Sequence, residues 1–117
     1  MKKLKSFTYK MSLRIFREEK AFGPGIYELL LNIQETGSLQ KAAEKMDMAY
    51  SKAWKILKAS EEQCGYPLTV RATGGKGGGG STISPEGERL MERYEGFRNE
   101  LEEAASEAFV RWFADME

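Results

Sequence analysis

Three lysines recur at helical spacing near the middle of the chain, and lysine is a side chain that binds phosphate. Lys52, Lys55 and Lys58 are each three residues apart, so on a helix they share one side. An ammonium group binds phosphate oxygens as a point charge, and it can also donate hydrogen bonds to the edge of a guanine base. Taken alone, a row of lysines is more often a solvated helix face, so the interpretation depends on the elements that position it.

The lysines fall on the second of two short helices that the sequence predicts around a tight turn. Ser38 is a candidate N-cap for the first helix, whose inner face would carry Leu39, Ala42, Ala43 and Met46. Residues 47–49 are long enough only for a turn, and residues 50–64 predict the second helix, with Ala53, Ile56, Leu57 and Ser60 facing inward. Two short helices joined in this way form a helix-turn-helix, whose second helix enters the major groove of DNA.

A glycine-rich hairpin follows the second helix and would form its wing. A strand over residues 68–72 leads to the tip at residues 74–80, where Lys76 is the single residue other than glycine. The tip matches neither a dinucleotide site, because a strand follows it, nor a P-loop, because Lys76 precedes Gly77 instead of Ser or Thr. A tip without side chains permits close approach to a DNA backbone, so we expect the glycine amides and Lys76 to contact phosphates.

Two blocks of this sequence resemble a known family of regulators. They are GSLQKAAEKMDMAYSKAWKIL, from Gly37, and GYPLTVRATGGKGGGGSTISPEGERL, from Gly65. Both are similar to the winged helix-turn-helix of the LysR-type regulators. They are more similar still to the DNA-binding domain of the molybdate-responsive ModE-type regulators, to which the Ala53-Trp54 pair and the run of glycines after Arg71 point. With its flanking helices, the resemblance covers nearly the whole chain.

The resemblance implies a fold and a function. The fold is mainly α with a small β component, a winged helix-turn-helix with a long C-terminal dimerisation helix. The function is that of a sequence-specific DNA-binding transcriptional regulator acting as a homodimer on a palindromic operator. The resembling regulators carry the oxyanion in separate C-terminal domains. A sequence that stops at Glu117 therefore predicts a stand-alone DNA-binding domain, with any effector bound by a separate protein.

The predicted DNA contacts lie on the two short helices and the wing. Ser51 and Lys55, near the start of the second helix, are expected to contact bases, whereas Lys76 is expected to hold the backbone. Trp54 has two interpretations: it packs into the core under the wing, or it lies along the sugar-phosphate chain. The full set is Ser38, Gln40, Tyr50, Ser51, Lys52, Trp54, Lys55, Lys58, Arg71, Thr73 and Lys76.

The remaining segments predict the frame around this unit. Strict alternation of apolar and polar residues from Phe7 to Phe16 predicts a strand with one buried face, within an N-terminal strand region at 7–22. Residues 25–64 predict a three-helix core that contains the helix-turn-helix at 38–64, with Ile26, Leu29, Leu30 and Ile33 as the inner stripe of its first helix. Residues 68–84 predict the wing. The whole chain, 1–117, is predicted to be one domain.

A long helix is predicted over residues 85–117. Ser84, Pro85 and Glu86 together are typical of a helix start. The apolar stripe that follows is too long for so small a domain to cover, which favours pairing with a second copy of the chain. The predicted dimer contacts are Leu90, Tyr94, Phe97, Leu101, Ala105, Ala108, Phe109 and Trp112.

Composition excludes several other functions. One cysteine and no histidine among 117 residues argue against disulfides, a metal centre, a cofactor and an enzyme active site. No apolar run is long enough to span a bilayer, so we expect a cytoplasmic protein without membrane contact. The net charge is zero, but residues 38–84 carry seven basic and four acidic side chains, whereas residues 85–117 carry four basic and ten acidic ones. That acidic helix also supports an alternative, a winged-helix protein-interaction module that no longer binds DNA.

Overall fold

Four helices and two short antiparallel hairpins build the part of the protein that the structure describes. The computed structural model describes residues 4–71 and 80–116. In chain order the elements are β1 (Ile15–Phe16), β2 (Lys20–Phe22), α1 (Pro24–Thr36), α2 (Leu39–Lys45), α3 (Tyr50–Cys64), β3 (Thr69–Arg71), β4 (Ser81–Ile83) and α4 (Pro85–Phe113), which is followed by a 3-10 turn (Ala114–Met116). Strand β1 pairs with β2, and β3 pairs with β4. This is the predicted winged helix-turn-helix.

The predicted starts of α2, α3 and α4 and the predicted ends of α1 and α3 are confirmed, because the residues at these positions suit helix ends. Helix α4, predicted over residues 85–117, ends at Phe113. Gly37 and Gly65 end α1 and α3 in the left-handed conformation that glycine adopts without strain. The hydroxyl of Ser38 accepts a hydrogen bond from the Lys41 amide at the start of α2. The hydroxyl of Ser84 likewise caps α4 through the Gly87 amide, with Pro85 in the first turn. Helix α3 instead has Ala49 at its N-cap position, which provides no side-chain cap.

The core lies where α1, α2 and α3 meet the base of α4. Small residues let the short helices approach closely: Ala42 and Ala53 are completely buried. The predicted inner stripe of α1 is confirmed, since Ile26, Leu29, Leu30 and Ile33 are all buried. Phe22 on β2 and Leu68 just before β3 close the two ends of this core, and both are fully buried.

The base of the wing is attached directly to the turn between α1 and α2. The Ser81 amide donates a 2.8 Å hydrogen bond to the Gly37 carbonyl, and the Ser84 amide donates a 2.9 Å bond to the Leu68 carbonyl. A side chain on Gly80 would collide with the Gly37 carbonyl oxygen. The backbone therefore requires glycine at position 80, because only glycine lets the two segments come this close.

The strand predicted over Phe7–Phe16 is wrong for most of its length. Residues 4–14 form no strand, and β1 contains only Ile15 and Phe16. The alternation has a different cause, because this segment lies along α4 and not beside another strand. Phe7 packs on Phe113, and Tyr9 packs on Phe109 with ring centroids 4.9 Å apart.

Helix α4 has a packed base and an exposed far half. Met91 and Tyr94 are buried in the core, but no residue of α4 beyond Tyr94 is buried, and the helix lies wholly within the described range. The far half makes the molecule elongated, with extents of 63 × 31 × 23 Å. None of the helices described, this long one included, combines the length and apolar character that crossing a membrane requires.

Candidate nucleic-acid interface

The outer face of α3 presents the side chains that the sequence selects for DNA contact. Tyr50, Ser51, Lys52 and Lys55 are all exposed, whereas Ala53 on the inner face is completely buried. Within the described part of the chain, Lys52 and Lys55 take part in no ion pair, so both ammonium groups are available to an anionic partner. The start of α3 is thus polar and exposed, and its buried inner face holds it against the core.

Lys58 differs from the other two lysines because it already has partners. Its Nζ lies 3.1 Å from Oε1 of Glu61 and 5.8 Å from the centre of the Trp54 ring. The other carboxylate oxygen of Glu61 accepts a 2.8 Å hydrogen bond from the Leu68 amide. These contacts tie the last turns of α3 to the base of the wing. Lys58 therefore orients neighbouring groups as well as adding positive charge.

Trp54 lies at the surface. Its side chain is 46% exposed, on the same side of α3 as Lys58. Of the two interpretations drawn from the sequence, packing in the core under the wing is not what the structure has. An exposed indole flanked by lysines can lie flat against a sugar or add a cation–π contact, both of which suit a nucleic-acid surface.

A cleft of about 680 Å³ separates α3 from the wing and brings most of the predicted residues together. Leu39 and Leu57, both nearly buried, form part of its floor. The lining residues are Ser38, Leu39, Gln40, Tyr50, Trp54, Leu57, Lys58, Thr69, Arg71, Gly80 and Ser81. Six of them were predicted as DNA contacts from the sequence: Ser38, Gln40, Tyr50, Trp54, Lys58 and Arg71. Ser51, Lys52 and Lys55 lie on α3 outside this lining.

The start of α2 contributes Gln40 to this surface, whereas Ser38 stabilises the helix itself. Gln40 is exposed. The Ser38 hydroxyl is occupied by the cap of α2, and the Ser38 carbonyl accepts a hydrogen bond from the hydroxyl of Thr36. Ser38 thus holds the first turn of α2 in place, while the Gln40 side chain remains available to a ligand.

The wing contributes Arg71 and two residues that sequence reasoning missed. Arg71 is the last residue of β3 and pairs with Ser81 on β4. Thr69 and Ser81 also line the cleft, although the sequence did not single them out. The signal for Thr69 was present: residues two apart on a strand share a face, so Thr69 accompanies Arg71. The predicted contacts Thr73 and Lys76, with the rest of the glycine tip, lie outside the described residues.

The cysteine and the carboxylates do not form a second site in the described residues. Cys64 is buried at the end of α3, beside the hydroxyl of Ser60 and the carbonyl of Ala21. Burial raises the pKa of its thiol, so it stays protonated and acts as a small core residue. No group of three or more histidine, cysteine, aspartate or glutamate side chains is placed to hold a metal ion across residues 4–71 and 80–116.

The residues predicted for dimer contact divide into two groups on α4. Tyr94 lies in the core of its own chain, where it packs on Phe22 and Tyr27 and donates a hydrogen bond to the Leu13 carbonyl. Leu90 is half-buried against the same core. The others lie on the far half, where Phe97 is 48% and Trp112 75% exposed, and Leu101, Ala105, Ala108 and Phe109 are half-buried. Only this second group is accessible to another molecule.

Fold and surface together define a class of protein. A buried three-helix core, an exposed basic face on the second helix of a helix-turn-helix, and a hairpin across a cleft from it are the parts of a winged helix-turn-helix DNA-binding domain. The chain belongs to the lysR family of bacterial regulatory helix-turn-helix proteins, whose family model matches residues 27–88. The resemblance noted in the sequence is confirmed.

Individual relatives agree with this assignment. The chain is 35% identical over 88 residues to the transcriptional regulator ModE of Yersinia pestis, and 32% identical over 88 residues to the DNA-binding transcriptional dual regulator ModE of Escherichia coli (strain K12). Each match covers 75% of this chain and 32% of the relative. It is also 38% identical over 66 residues to the molybdenum-pterin-binding protein MopB of Rhodobacter capsulatus, covering 56% of this chain and 24% of the relative. The matched part is thus a third or less of the length of these relatives.

Proposed function

We propose that this chain is a sequence-specific transcriptional regulator that binds double-stranded DNA as a homodimer. The observation that carries the proposal is the exposed face of α3, where Ser51, Lys52 and Lys55 stand on a helix anchored by buried residues. Rigid presentation matters because base contacts require side chains that are held in register with the groove. Two of the relatives are named as transcriptional regulators, which supports the same function. The cytoplasm, where bacterial DNA lies, is the proposed location.

The roles of the residues follow from their positions. Ser51 and Lys55 lie one turn apart near the start of α3, the part of a recognition helix that enters the major groove most deeply, so we assign them to base contact. Arg71 at the end of β3 and Lys52 are assigned to phosphates, because their exposed cations flank that helix start. Trp54 and Gln40 would contact the sugar-phosphate chain on either side of the cleft.

The homodimer is proposed for the far half of α4. Its exposed aromatic residues, Phe97 and Trp112, have no core of their own to cover them. Two copies of the domain joined there would present two α3 helices to a palindromic operator, since a two-fold symmetric dimer matches two-fold symmetric DNA. The ten acidic residues at 85–117 also favour placing this helix away from phosphates.

The test is a DNA titration across a salt series, after an operator has been selected from genomic fragments. We expect binding to weaken steeply between about 50 and 200 mM salt, because phosphate contacts release counterions. Binding that is absent or independent of salt would contradict the proposal and favour the protein-interaction alternative, which the acidic α4 supports.

Two variants separate the proposed roles. Lys55→Ala should lower operator affinity by about 1–3 kcal/mol and relax the preference at one base pair. Arg71→Ala should weaken operator and scrambled DNA alike and reduce the salt slope by about one. Lys20→Ala, on β2 beside the C-terminal end of α3, is the control for loss of charge and should change neither property. If Arg71→Ala loses discrimination while Lys55→Ala keeps it, the roles of helix and wing are reversed.

A further inference from the structure

The N-terminal segment at residues 4–14 lies along α4 without belonging to the winged domain. Two of its aromatic side chains pack on the helix: the ring centroids of Phe7 and Phe113 are 6.0 Å apart, and those of Tyr9 and Phe109 are 4.9 Å apart. Further along, the Leu13 carbonyl accepts a 2.9 Å hydrogen bond from the hydroxyl of Tyr94. The segment therefore runs antiparallel to α4, from its far end toward its base.

This segment covers one edge of the apolar stripe on α4 and leaves the other edge open. At about 100° per residue, Phe109 and Phe113 lie on one edge of the stripe, whereas Phe97 and Ala108 lie on the opposite edge. Phe97 and Trp112 stay 48% and 75% exposed with the segment in place. A second helix can therefore pack on the open edge and the centre of the stripe without displacing the segment.

Opposite net charges on the segment and on the helix favour keeping the segment there. No acidic residue precedes Glu18, and Lys5, Lys10 and Arg14 are exposed along the segment. The chain from residue 85 onward carries ten acidic side chains against four arginines. A basic segment that lies on an acidic helix lowers the repulsion between the carboxylates of two such helices when they pair.

We propose that residues 4–14 are a dimerisation arm: together with the far half of α4 they form one composite surface that receives α4 of a second copy. The inference rests on the proposed homodimer and adds to it a contact from outside the helix. In the antiparallel pairing that we infer, the symmetry axis passes near Ala104 and Ala105, where small side chains allow close approach. Leu101 of each copy then lies opposite Ala108 of the other.

This pairing brings the two arms to the same side of the helix pair. A two-fold axis keeps the edges of both helices that carry Phe109 and Phe113 on one side of the pair, and both Phe97 edges on the other. The arms therefore run antiparallel to each other along the pair, and the middle of each arm, near Met11, lies closest to the axis. Met11 is 54% exposed in the single chain, so it is available to the second copy.

The first experiment compares substitutions on the two sides of the arm by analytical ultracentrifugation of the full chain. Phe7→Asp with Tyr9→Asp changes the side that faces α4 and should raise the dimer dissociation constant at least about tenfold, because aromatic anchors dominate interface energies. Thr8→Asp with Ser12→Asp adds the same charge on the other side and should change it by less than about twofold. Phe7→Leu with Tyr9→Phe keeps apolar packing and should restore most of the affinity.

The second experiment detects the contact between the arms directly, in a Cys64→Ala background. Met11→Cys should give a covalent dimer on mild oxidation, since a disulfide forms only when the two Cα atoms are within about 7 Å. Cys64 is the single cysteine of the chain, so this variant has no partner for a disulfide within one chain. Leu4→Cys, near the end of the arm and far from the inferred axis, is the matched control and should give far less dimer.

The outcomes separate this inference from the proposal on which it rests. A wild-type chain that is monomeric at every concentration would refute the homodimer. A wild-type dimer that the Phe7 and Tyr9 substitutions leave unchanged, and that Met11→Cys does not cross-link, would refute only the arm. A dimer that becomes tighter when Phe7 and Tyr9 are replaced would also refute the arm, since the segment would then compete with the second copy.

Discussion

The outer face of α3 and the far half of α4 are both exposed, but they differ in polarity and therefore in the kind of partner that they suit. The outer face of α3 is polar and basic, it is held from behind by buried residues such as Ala53 and Leu57, and water solvates it well. The far half of α4 carries an apolar stripe and has no buried residue of its own. A lysine row is stable in water until a phosphate arrives, whereas a row of exposed aromatic residues indicates another protein surface. The two faces thus suit two kinds of partner: α3 suits DNA, and the far half of α4 suits the second copy of the proposed homodimer.

Substitutions in the apolar stripe of α4 are expected to have the largest effect, and they test whether this face binds protein. Phe97→Asp with Leu101→Asp should convert the dimer to a monomer and weaken operator binding strongly, because each large side chain lost from such an interface costs about 2–4 kcal/mol. Sedimentation equilibrium measures the change. Asn99→Asp, on an exposed position of the same helix, is the charge control and should leave the dimer intact. An unchanged dimer in the double variant would remove α4 from the interface.

A smaller effect is expected where the wing meets the turn between α1 and α2. Gly80→Ala would push a methyl group against the Gly37 carbonyl and strain the hydrogen bond that Ser81 donates to it. Overpacking of this kind costs about 1–3 kcal/mol, which urea unfolding can measure, and it should also weaken DNA binding by shifting the wing. Gly25→Ala is the control, because nothing lies within 4 Å of the added carbon. Equal stabilities would show that the wing base yields without cost.

A third prediction concerns the contact between the DNA-binding core and α4. The hydroxyl of Tyr27 donates a 2.9 Å hydrogen bond to Glu95, so Tyr27→Phe should lower the free energy of unfolding by about 1 kcal/mol. Burial, together with this bond to Glu95, raises the pKa of the Tyr27 phenol above its ordinary value. The folded state thus holds that proton more tightly than the unfolded state does. Stability should be intact below about pH 10 and fall as the pH rises through the folded-state value.

Denaturant titrations at several alkaline pH values check the sign of this effect. The fall above about pH 10 should be shallower in Tyr27→Phe than in the wild type. Burial also raises the pKa of the Cys64 thiol, which contributes in the same direction and is retained in both proteins. The difference between the two curves therefore isolates Tyr27. Parallel curves would mean that this phenol titrates alike in the folded and unfolded chains.

The smallest effect sharpens the contrast between the two halves of α4 itself. Gly96 lies in the helix interior with open space around it, so Gly96→Ala should stabilise the protein by about 0.5–1 kcal/mol. Gly87 lies at the packed base, where an added carbon would lie 2.8 Å from Cγ2 of Ile83, so Gly87→Ala should destabilise it. Thermal unfolding of both variants measures the two changes in stability. Opposite signs are expected, and equal signs would contradict the division of α4 at Tyr94.

Local rules were sufficient to predict the helices. Ser38, Gly37 and Ser84 act at the ends of helices through bonds to their own neighbours, so their roles can be inferred from a few residues of sequence. The inner stripes of α1 and α3 followed from periodicity for the same reason. The exposed face of α3 was predicted as the complement of its inner stripe, and most of the cleft lining followed from it.

Long-range packing was not predictable in the same way. Alternation from Phe7 to Phe16 indicates an extended segment with one covered face, but it does not say what covers that face, and here it is a helix about a hundred residues away in sequence. Tyr94 was assigned to a stripe by spacing, although Phe22 and Tyr27 bury it within its own chain. Thr69 and Ser81 become part of the cleft only when β3 and β4 pair.

The contact at Tyr27 has a consequence for the length of the operator. Arg98 stacks over the rings of Tyr27 and Tyr94, and with the bond between Tyr27 and Glu95 it fixes the angle at which α4 leaves the helical core. In a dimer joined through α4, that angle sets the distance between the two α3 helices. In the proposed dimer these residues would therefore set the number of base pairs between the two half-sites without contacting a base.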